Sequence, residues 1–511
     1  MLLVLLFLFS ISSSANHLNS CISNQTEIRG EFQRGGLILP SVGTINVLII
    51  FAQFPDDNYE ILSAHWPKNR PPSDMKNWVE ESWKNKPKEG YLTHYYNEMS
   101  LNKLKLIGKE VSVTAKQSRN WYLKNNFQRG DIHTEIIKEL DLSMDFAEFD
   151  RWNYISNYKQ REEPDGRIDM IIFIWRNIVK DFQADSALIY QTRLNFTDGF
   201  GSIGTGKNFN IDNETREVFV TDFGSGVTLF DYAEDYIYGD GKRTRKGVVH
   251  EIGHYFLGHN DHHSGFGFWA MLSSWGIKSM TANSFERDRL GWIDLIEIKN
   301  TAGYVLRNAK LPDYITSGVA YVFKIDSASG EYFYIENHQN ISYWEKEFKF
   351  GNIENGIYVL RKDKNAPSVY NDRPSSAFFR MIPADGRFKW VVNQKTKNRW
   401  GKGELPVFKK LEEDKINGYH DLDFIPWIWE NKKQIPAVIH FVEDSYGNPI
   451  EDVKYRGDGS DAFRIGYKEE FNSSTNPNSQ RTNKLPSGFG FKIKDFSDGI
   501  YSIDFFVETK K

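Results

Sequence analysis

The stretch Lys246-Gly-Val-Val-His250-Glu251-Ile-Gly-His254-Tyr-Phe-Leu-Gly258 decides how the rest of this chain is read. Taken as a helix, it sets His250 and His254 one turn apart on one face. Two imidazoles at that spacing can grip one Zn²⁺ through Zn–N bonds of ~2.0–2.1 Å. Glu251 falls roughly 100° round the helix from His250. From there its carboxylate reaches a water on the metal without ligating the metal, which is where a general base must stand. Val249, Ile252 and Phe256 form an opposite stripe, so the helix can be pinned to a core by its back. Gly258 is a natural stop, because glycine takes the left-handed conformation at little cost. The plain alternative is an ordinary helix with two surface histidines. The following residues favour the metal: His259-Asn-Asp261-His262-His263-Ser-Gly265 offers four candidate third ligands, and Ala270-Met271-Leu-Ser-Ser-Trp275-Gly brings a methionine loop soon after.

At 511 residues the chain exceeds one typical domain, and two or three are expected. Hydrophobic residues at 40% and aromatics at 15% suffice for packed cores, so the composition is not that of a disordered chain. A net charge of −4 without a long basic run argues against nucleic acid as a partner. Met1–Ala15, MLLVLLFLFSISSSA, is an apolar run ending in small residues, the pattern of a secretory signal, although its start carries no positive charge. It is shorter than the ~20 residues a membrane span needs. The sole cysteine, Cys21, rules out an internal disulfide framework. Its place just past the signal leaves two readings open. One is a lipoprotein attached to a membrane through acylated Cys21; the other is cleavage near Ala15 with an incidental thiol. Both put the protein outside the cell, and nothing implies an oligomer.

Residues 22–44 are polar and Gly-containing and read as an extended leader. Ile45–Phe51, INVLIIF, is a near-continuous apolar run and hence a buried strand. It ends in the turn signal Gln53-Phe54-Pro55-Asp56-Asp57. Residues 58–90, rich in Pro, Lys and Trp, are expected to wrap the surface. Leu92–Met99 is helix-like, Ser100–Leu106 starts a strand, and Thr134–Leu140 is a short amphipathic helix. The turn Asp165-Gly166-Arg167 leads into Ile168–Trp175, a second buried strand. Asp165 and Asp169 are candidates for a structural Ca²⁺, or else an ordinary turn with a capping aspartate. Residues 196–247 alternate Gly-rich turns with short strands such as Glu217–Val220. Asn283–Trp292 reads as a helix stopped by Gly291. After about residue 297 short strands recur between turns: Tyr304–Arg307, Val319–Ile325, Tyr332–Ile335, Gly356–Leu360, Ala437–Phe441 and Tyr501–Val507. That texture is β-sandwich-like. Trp390, Trp400, Trp427 and Trp429 are core residues or, alternatively, sugar-stacking ones.

Several stretches besides HExxH are distinctive: VLIIFAQFPDD at 47–57, YYNEMS at 95–100 running on to Leu106, DGRIDMIIFIW at 165–175, NSFERDRLGWI at 283–293, EYFYIENH at 331–338 and GIYVL at 356–360. In this order they resemble the immune inhibitor A-type family of secreted zinc metallopeptidases, bacterial branch, from about residue 45 to 365. The tail at Thr475–Ser479 resembles the end of bacterial members as well. Asn102 stands where the family has glycine, Phe285 where it has tryptophan and His338 where it has arginine. With a signal over 1–21, an α+β part over 22–300 and a β-rich, β-sandwich-like region over 301–511 expected from the chain's own texture, the resemblance implies that the middle part is a zincin-like metallopeptidase domain. It also implies proteolysis with one catalytic zinc, His250 and His254 as ligands and Glu251 as the base. The common family pattern has glycine three residues after the second histidine and aspartate six after it. Here those places hold Leu257 and Asn260, while Gly258 and Asp261 come one residue later, as if one residue were inserted. A related bacterial form, G-x-N-x-x-H, fits Gly258–His263 and points to His263. Imidazole is a better zinc donor than an amide, which sets Asn260 aside. His263 is therefore the first candidate for third ligand, Asp261 the alternative, and His259 comes after both.

The expected protein is thus a secreted zinc-dependent endopeptidase acting on protein or peptide substrates, with water activated at zinc and Glu251 as general base. Met271 either floors the metal or is simply a core methionine. The alternative is a catalytically inactive zincin-fold adhesion or glycan-binding surface protein; the intact Glu251 speaks against it.

Overall fold

A computed structural model describes residues 34–57, 66–83, 86–127, 129–153, 158–176, 200–202, 209–218, 226–229, 242–257, 270–272, 281–326, 330–347, 355–363, 379–382, 384, 390–397, 404–410, 427–430, 433–436, 462–481 and 485–509. Met1–Ala15, Cys21, the candidate ligands His259, Asp261, His262 and His263, Trp400 and the strand expected at Ala437–Phe441 lie outside the described residues.

The elements up to the second helical motif are β1 (Gly43–Gln53), α1 (Leu92–Met99), β2 (Leu104–Thr114), α2 (Arg119–Lys124), α3 (Arg129–Leu140), β3 (Ile171–Trp175), β4 (Phe200–Ser202), β5 (Phe209–Ile211), β6 (Arg216–Val218), β7 (Gly226–Leu229), α4 (Lys242–Leu257) and α5 (Ser284–Arg289). Five strands form one sheet in the order β2-β1-β3-β7-β4. β1 runs parallel to β2 and β3, and β3 to β7; the edge strand β4 is antiparallel to β7. Parallel sheets are covered on both faces, and β1 shows how one sequence serves two cores. Ile45, Val47, Ile49 and Phe51 share a core with Val248, Val249 and Ile252 of α4. Leu48, Ile50 and Ala52 share the other with Ile132, Ile136 and Ile137 of α3. Strand side chains alternate with period two, so the near-continuous run INVLIIF fills both sides, with only Asn46 left outside the two cores and donating to Glu148 O. β3 does the same, with Ile172 and Ile174 in the first core and Ile171, Phe173 and Trp175 in the second.

The stretch read as an extended leader and the one expected to wrap the surface are both partly buried. Leu37, Ile38 and Leu39, in the expected leader, join the core of α4, as do Trp66, Met75, Trp78 and Val79. The indoles can go inside because their N–H groups are satisfied. Trp66 Nε1 donates to Arg70 O at 2.9 Å and Trp78 Nε1 to Gly90 O at 3.1 Å.

Strands then dominate: β8 (Ile296–Ile298), β9 (Val305–Leu311), α6 (Tyr314–Ser317), β10 (Tyr321–Asp326), β11 (Glu331–His338), α7 (Tyr343–Glu347), β12 (Gly356–Asp363), β13 (Phe379–Ile382), β14 (Trp390–Lys397), β15 (Glu404–Lys410), β16 (Trp427–Glu430), β17 (Lys433–Pro436), β18 (Glu470–Phe471), β19 (Phe489–Ser497) and β20 (Ile500–Val507). They form a five-stranded sheet, β13-β12-β11-β10-β8, and a four-stranded one, β18-β19-β20-β9. A single apolar layer joins the two: Phe323, Phe333 and Ile335 meet Phe489, Phe491 and Phe505, with Phe323 stacked on Phe489 at 4.6 Å between ring centroids. β14 pairs with β15 and β16 with β17; these pairs carry Trp390, Trp427 and Trp429.

The strand-rich part reaches into the first core. Tyr314 and Ile315 of α6, Ala320 and Trp344 of α7 belong to the same cluster as α4. Polar bonds accompany them: Trp344 Nε1 to His94 Nδ1 at 3.0 Å, Ser342 Oγ to Glu98 Oε2 at 3.0 Å, and Ser284 N to Glu336 Oε1 at 2.7 Å. Among the described residues no helix is long and apolar enough to cross a membrane.

Candidate metal centre

α4 is held along its back, near its start and at its end. Val248, Val249, Ile252, Tyr255, Phe256 and Leu257 are buried in the first core, and the Tyr255 hydroxyl donates to Gly226 O of β7 at 2.8 Å. Near the start, Arg245 Nε lies 3.2 Å from Asp74 Oδ2. A helix leaves its last carbonyls without intrahelical partners. Here the chain before β1 supplies them: Ile38 N and Leu39 N donate to Tyr255 O at 2.9 and 3.3 Å, and Leu37 N to Phe256 O at 2.9 Å.

On this fixed helix His250, Glu251 and His254 are buried, none more than 1% exposed. The two imidazole centroids are 5.0 Å apart with the ring planes at 83°. Glu251 Oε1 lies 4.0 Å from His250 Nε2. Two imidazoles on one tetrahedral ion, at ~2.0–2.1 Å per bond, would hold their centroids on the order of 5 Å apart. The pair therefore fits a shared ion. Among the described residues no group of three His, Cys, Asp or Glu comes together as a metal cage; the candidate third ligands are outside that set.

The chain returns to α4 at Met271 and Leu272, both buried. Their side chains press on Gly253, between the two histidines. A Cβ at Gly253 would stand 2.9 Å from Leu272 Cδ2, 3.2 Å from Met271 Cγ and 3.3 Å from Met271 Sδ. Only glycine allows this approach without displacement. Glu286 of α5 holds the returning backbone: Met271 N donates to its Oε2 at 2.9 Å and Leu272 N to its Oε1 at 3.3 Å. The same carboxylate closes a capping box, accepting from Asn283 N at 3.1 Å while Asn283 Oδ1 accepts from Glu286 N at 2.9 Å. Burial pushes the Glu286 carboxyl up to about 7, against the pull of the three N–H donors.

One turn before His250, Lys246 is buried, and its amine has no hydrogen-bond partner among the described residues. Desolvation pushes it down to about 7. The calcium candidates are engaged with backbone. Asp169 Oδ2 accepts from Arg151 N at 2.9 Å and Trp152 N at 3.2 Å, and Asp165 Oδ1 from Arg167 N at 3.0 Å. Burial nevertheless pushes Asp169 up to about 8.

The sequence reading assigned no role to Gly253, Glu286, Lys246 or the triplet Leu37–Leu39. For Glu286 half a signal existed, since Asn283-x-x-Glu286 has capping-box spacing; its reach to Met271 and Leu272 had none. No family model and no curated protein matches the chain. The likeness to the immune inhibitor A-type family accordingly rests on the residues quoted for it.

Proposed function

We propose that this protein is a secreted zinc-dependent endopeptidase. The observation that supports the reading best is the adjacency of His250, Glu251 and His254 on a helix anchored along its back and at its end. His250 and His254 hold the ion, with His263 as third ligand and Asp261 as its alternative. A bound zinc supplies Lewis-acid polarisation of a carbonyl and a lowered pKa for water. Glu251 takes a proton at its carboxylate as water attacks the scissile carbonyl carbon. It then returns that proton to the amine nitrogen as the C–N bond breaks. The rigid helix keeps the base in register with the two imidazoles, which is the positional requirement of such a step. Substrates are proteins or peptides, and the expected location is extracellular, with Cys21 as a candidate lipid anchor.

Glu251→Gln tests the reading. The amide matches the carboxylate in shape and cannot take the proton. The variant should keep its fold and metal content while casein hydrolysis falls by roughly 10²–10⁴-fold. Activity within tenfold of wild type rejects the mechanism, and a wild type that neither loads zinc nor cleaves casein rejects the function.

A further inference from the structure

We propose that Glu286 is a positioning residue of the metal centre: its two carboxylate oxygens hold the Met271–Leu272 turn against Gly253, between His250 and His254. The inference rests on the metal-centre reading above. A capping-box glutamate is ordinarily a surface residue that serves its own helix. Glu286 is 2% exposed and serves a second segment, with Met271 N and Leu272 N directed at it in addition to Asn283 N. Placing a carboxylate inside is costly unless it is hydrogen-bonded, and three backbone N–H groups donate to it here.

The turn in question touches α4 at the one position of HExxH that has no side chain. Gly253 lies three residues after His250 and one before His254, so whatever presses on it fixes the backbone carrying both rings. The side chains of Met271 and Leu272 lie so near Gly253 that a Cβ there would stand within 3.3 Å of both. The turn cannot drift away, because Glu286 is itself fixed. Ser284 N is tied to Glu336 at 2.7 Å, and Arg287 Nη1 donates to Tyr314 O and Ile315 O at 3.2 Å each. The position of the turn is thus inherited from α5 and from β11 and α6, to which α5 is tied. Groups that orient ligands from behind commonly change metal affinity by roughly 10–100-fold when removed.

The test compares three variants of the full chain. Glu286→Gln keeps the shape but offers one acceptor oxygen and turns an NH₂ towards N–H donors. Gly253→Ala leaves Glu286 intact and sets a methyl group against the Met271 and Leu272 side chains. Asn283→Ala weakens the cap of α5 and leaves the carboxylate in place. Three readouts are taken: zinc affinity by chelator competition, the visible spectrum of the Co²⁺-loaded protein, and the rate at which peroxide oxidises Met271 by peptide mass mapping, which needs no metal. Glu286→Gln and Gly253→Ala should each lower zinc affinity at least tenfold, alter the cobalt bands and speed Met271 oxidation. Asn283→Ala should lower the Tm and leave all three at wild-type values. A folded Glu286→Gln with wild-type affinity, spectrum and oxidation overturns the inference alone. So does an Asn283→Ala variant that reproduces its changes, because the effect would then be helix stability. If Glu286→Gln does not fold, Gly253→Ala decides, and an unchanged cobalt spectrum overturns the inference. A wild type that takes up neither zinc nor cobalt rejects the metal centre, and the inference falls with it.

Discussion

His338 sits between two glutamates with both ring nitrogens engaged, Nε2 at 2.9 Å from Glu336 Oε2 and Nδ1 at 2.5 Å from Glu345 Oε1. Tyr314 and Tyr358 pack edge-on against the ring. Burial by itself disfavours the charged imidazole, but the two carboxylates outweigh it and push its pKa up to about 9. The cation is thus the working form. A group raised above its unfolded value of ~6.5 contributes stability that is complete below that pH and lost as pH rises through about 9. His338→Gln leaves the two carboxylates facing a neutral group and should cost roughly 3–5 kcal/mol at pH 6.5. On the order of 3 kcal/mol of that difference should vanish by pH 10. Glu98 and Glu286, pushed up to about 7 mainly by burial, titrate with the same sign at lower pH. They are present in both proteins and cancel from the comparison. Urea unfolding of the two proteins at pH 6.5 and pH 10 measures it; a gap that does not change with pH removes the imidazolium from the account.

At the scale of elements, the segment before β1 has the largest unforeseen role, because it finishes α4. Leu37, Ile38 and Leu39 are buried, and their N–H groups meet the carbonyls of Tyr255 and Phe256. Fully burying each such side chain is worth ~1.5–3 kcal/mol. A chain beginning at residue 34, which keeps the triplet, is the reference. One beginning at residue 43 should lose at least ten degrees and show amide exchange at Tyr255–Leu257 accelerated tenfold or more. Equal Tm values for the two chains would show that the segment only rests on the helix. What the sequence made legible here follows from range. Ile45–Phe51 announced a buried strand because its apolar run needs no partner to be recognised, and β1 spans Gly43–Gln53. Leu92–Met99 is a local pattern too, and α1 has those bounds; the helix expected over Asn283–Trp292 forms over the shorter Ser284–Arg289. The triplet Leu37–Leu39 is too short to carry a period, and its partners lie more than two hundred residues away. The pairing of β9 with β20, Leu311 opposite Tyr501, is equally remote. Of the candidate site, the spacing of His250, Glu251 and His254 was readable from one helical turn. The clamp at Glu286 joins segments that no local pattern connects.

On the scale of the whole molecule, the strand-rich part completes the core of the first. Tyr314, Ile315, Ala320 and Trp344 are buried in the cluster that holds α4 and α1. A second cluster sets Ala270 and Phe285 against Val322, Tyr334, Tyr358 and Leu360 of β10, β11 and β12. Charged groups follow the same line: Glu98 of α1 accepts from Ser342, and the Ser284 N–H at the start of α5 donates to Glu336 of β11. A chain cut at residue 300 would lose all of these while keeping α1, α4 and α5. Deleting one large buried aromatic costs ~3–5 kcal/mol, and whole domains are stable by only ~5–15 kcal/mol. Loss of Tyr314 and Trp344 together is therefore of the same size as the margin, before the rest of the shared cluster is counted. The fragment 34–300 should be soluble at best as a loosely packed state, with far-UV but little near-UV circular dichroism. The full chain should unfold its first sheet and its strand-rich part in one transition. Both statements can be checked with the same pair of samples. A fragment with a native near-UV spectrum and a sharp thermal transition of its own would show that α4 and its surroundings fold without the strands that now press on them.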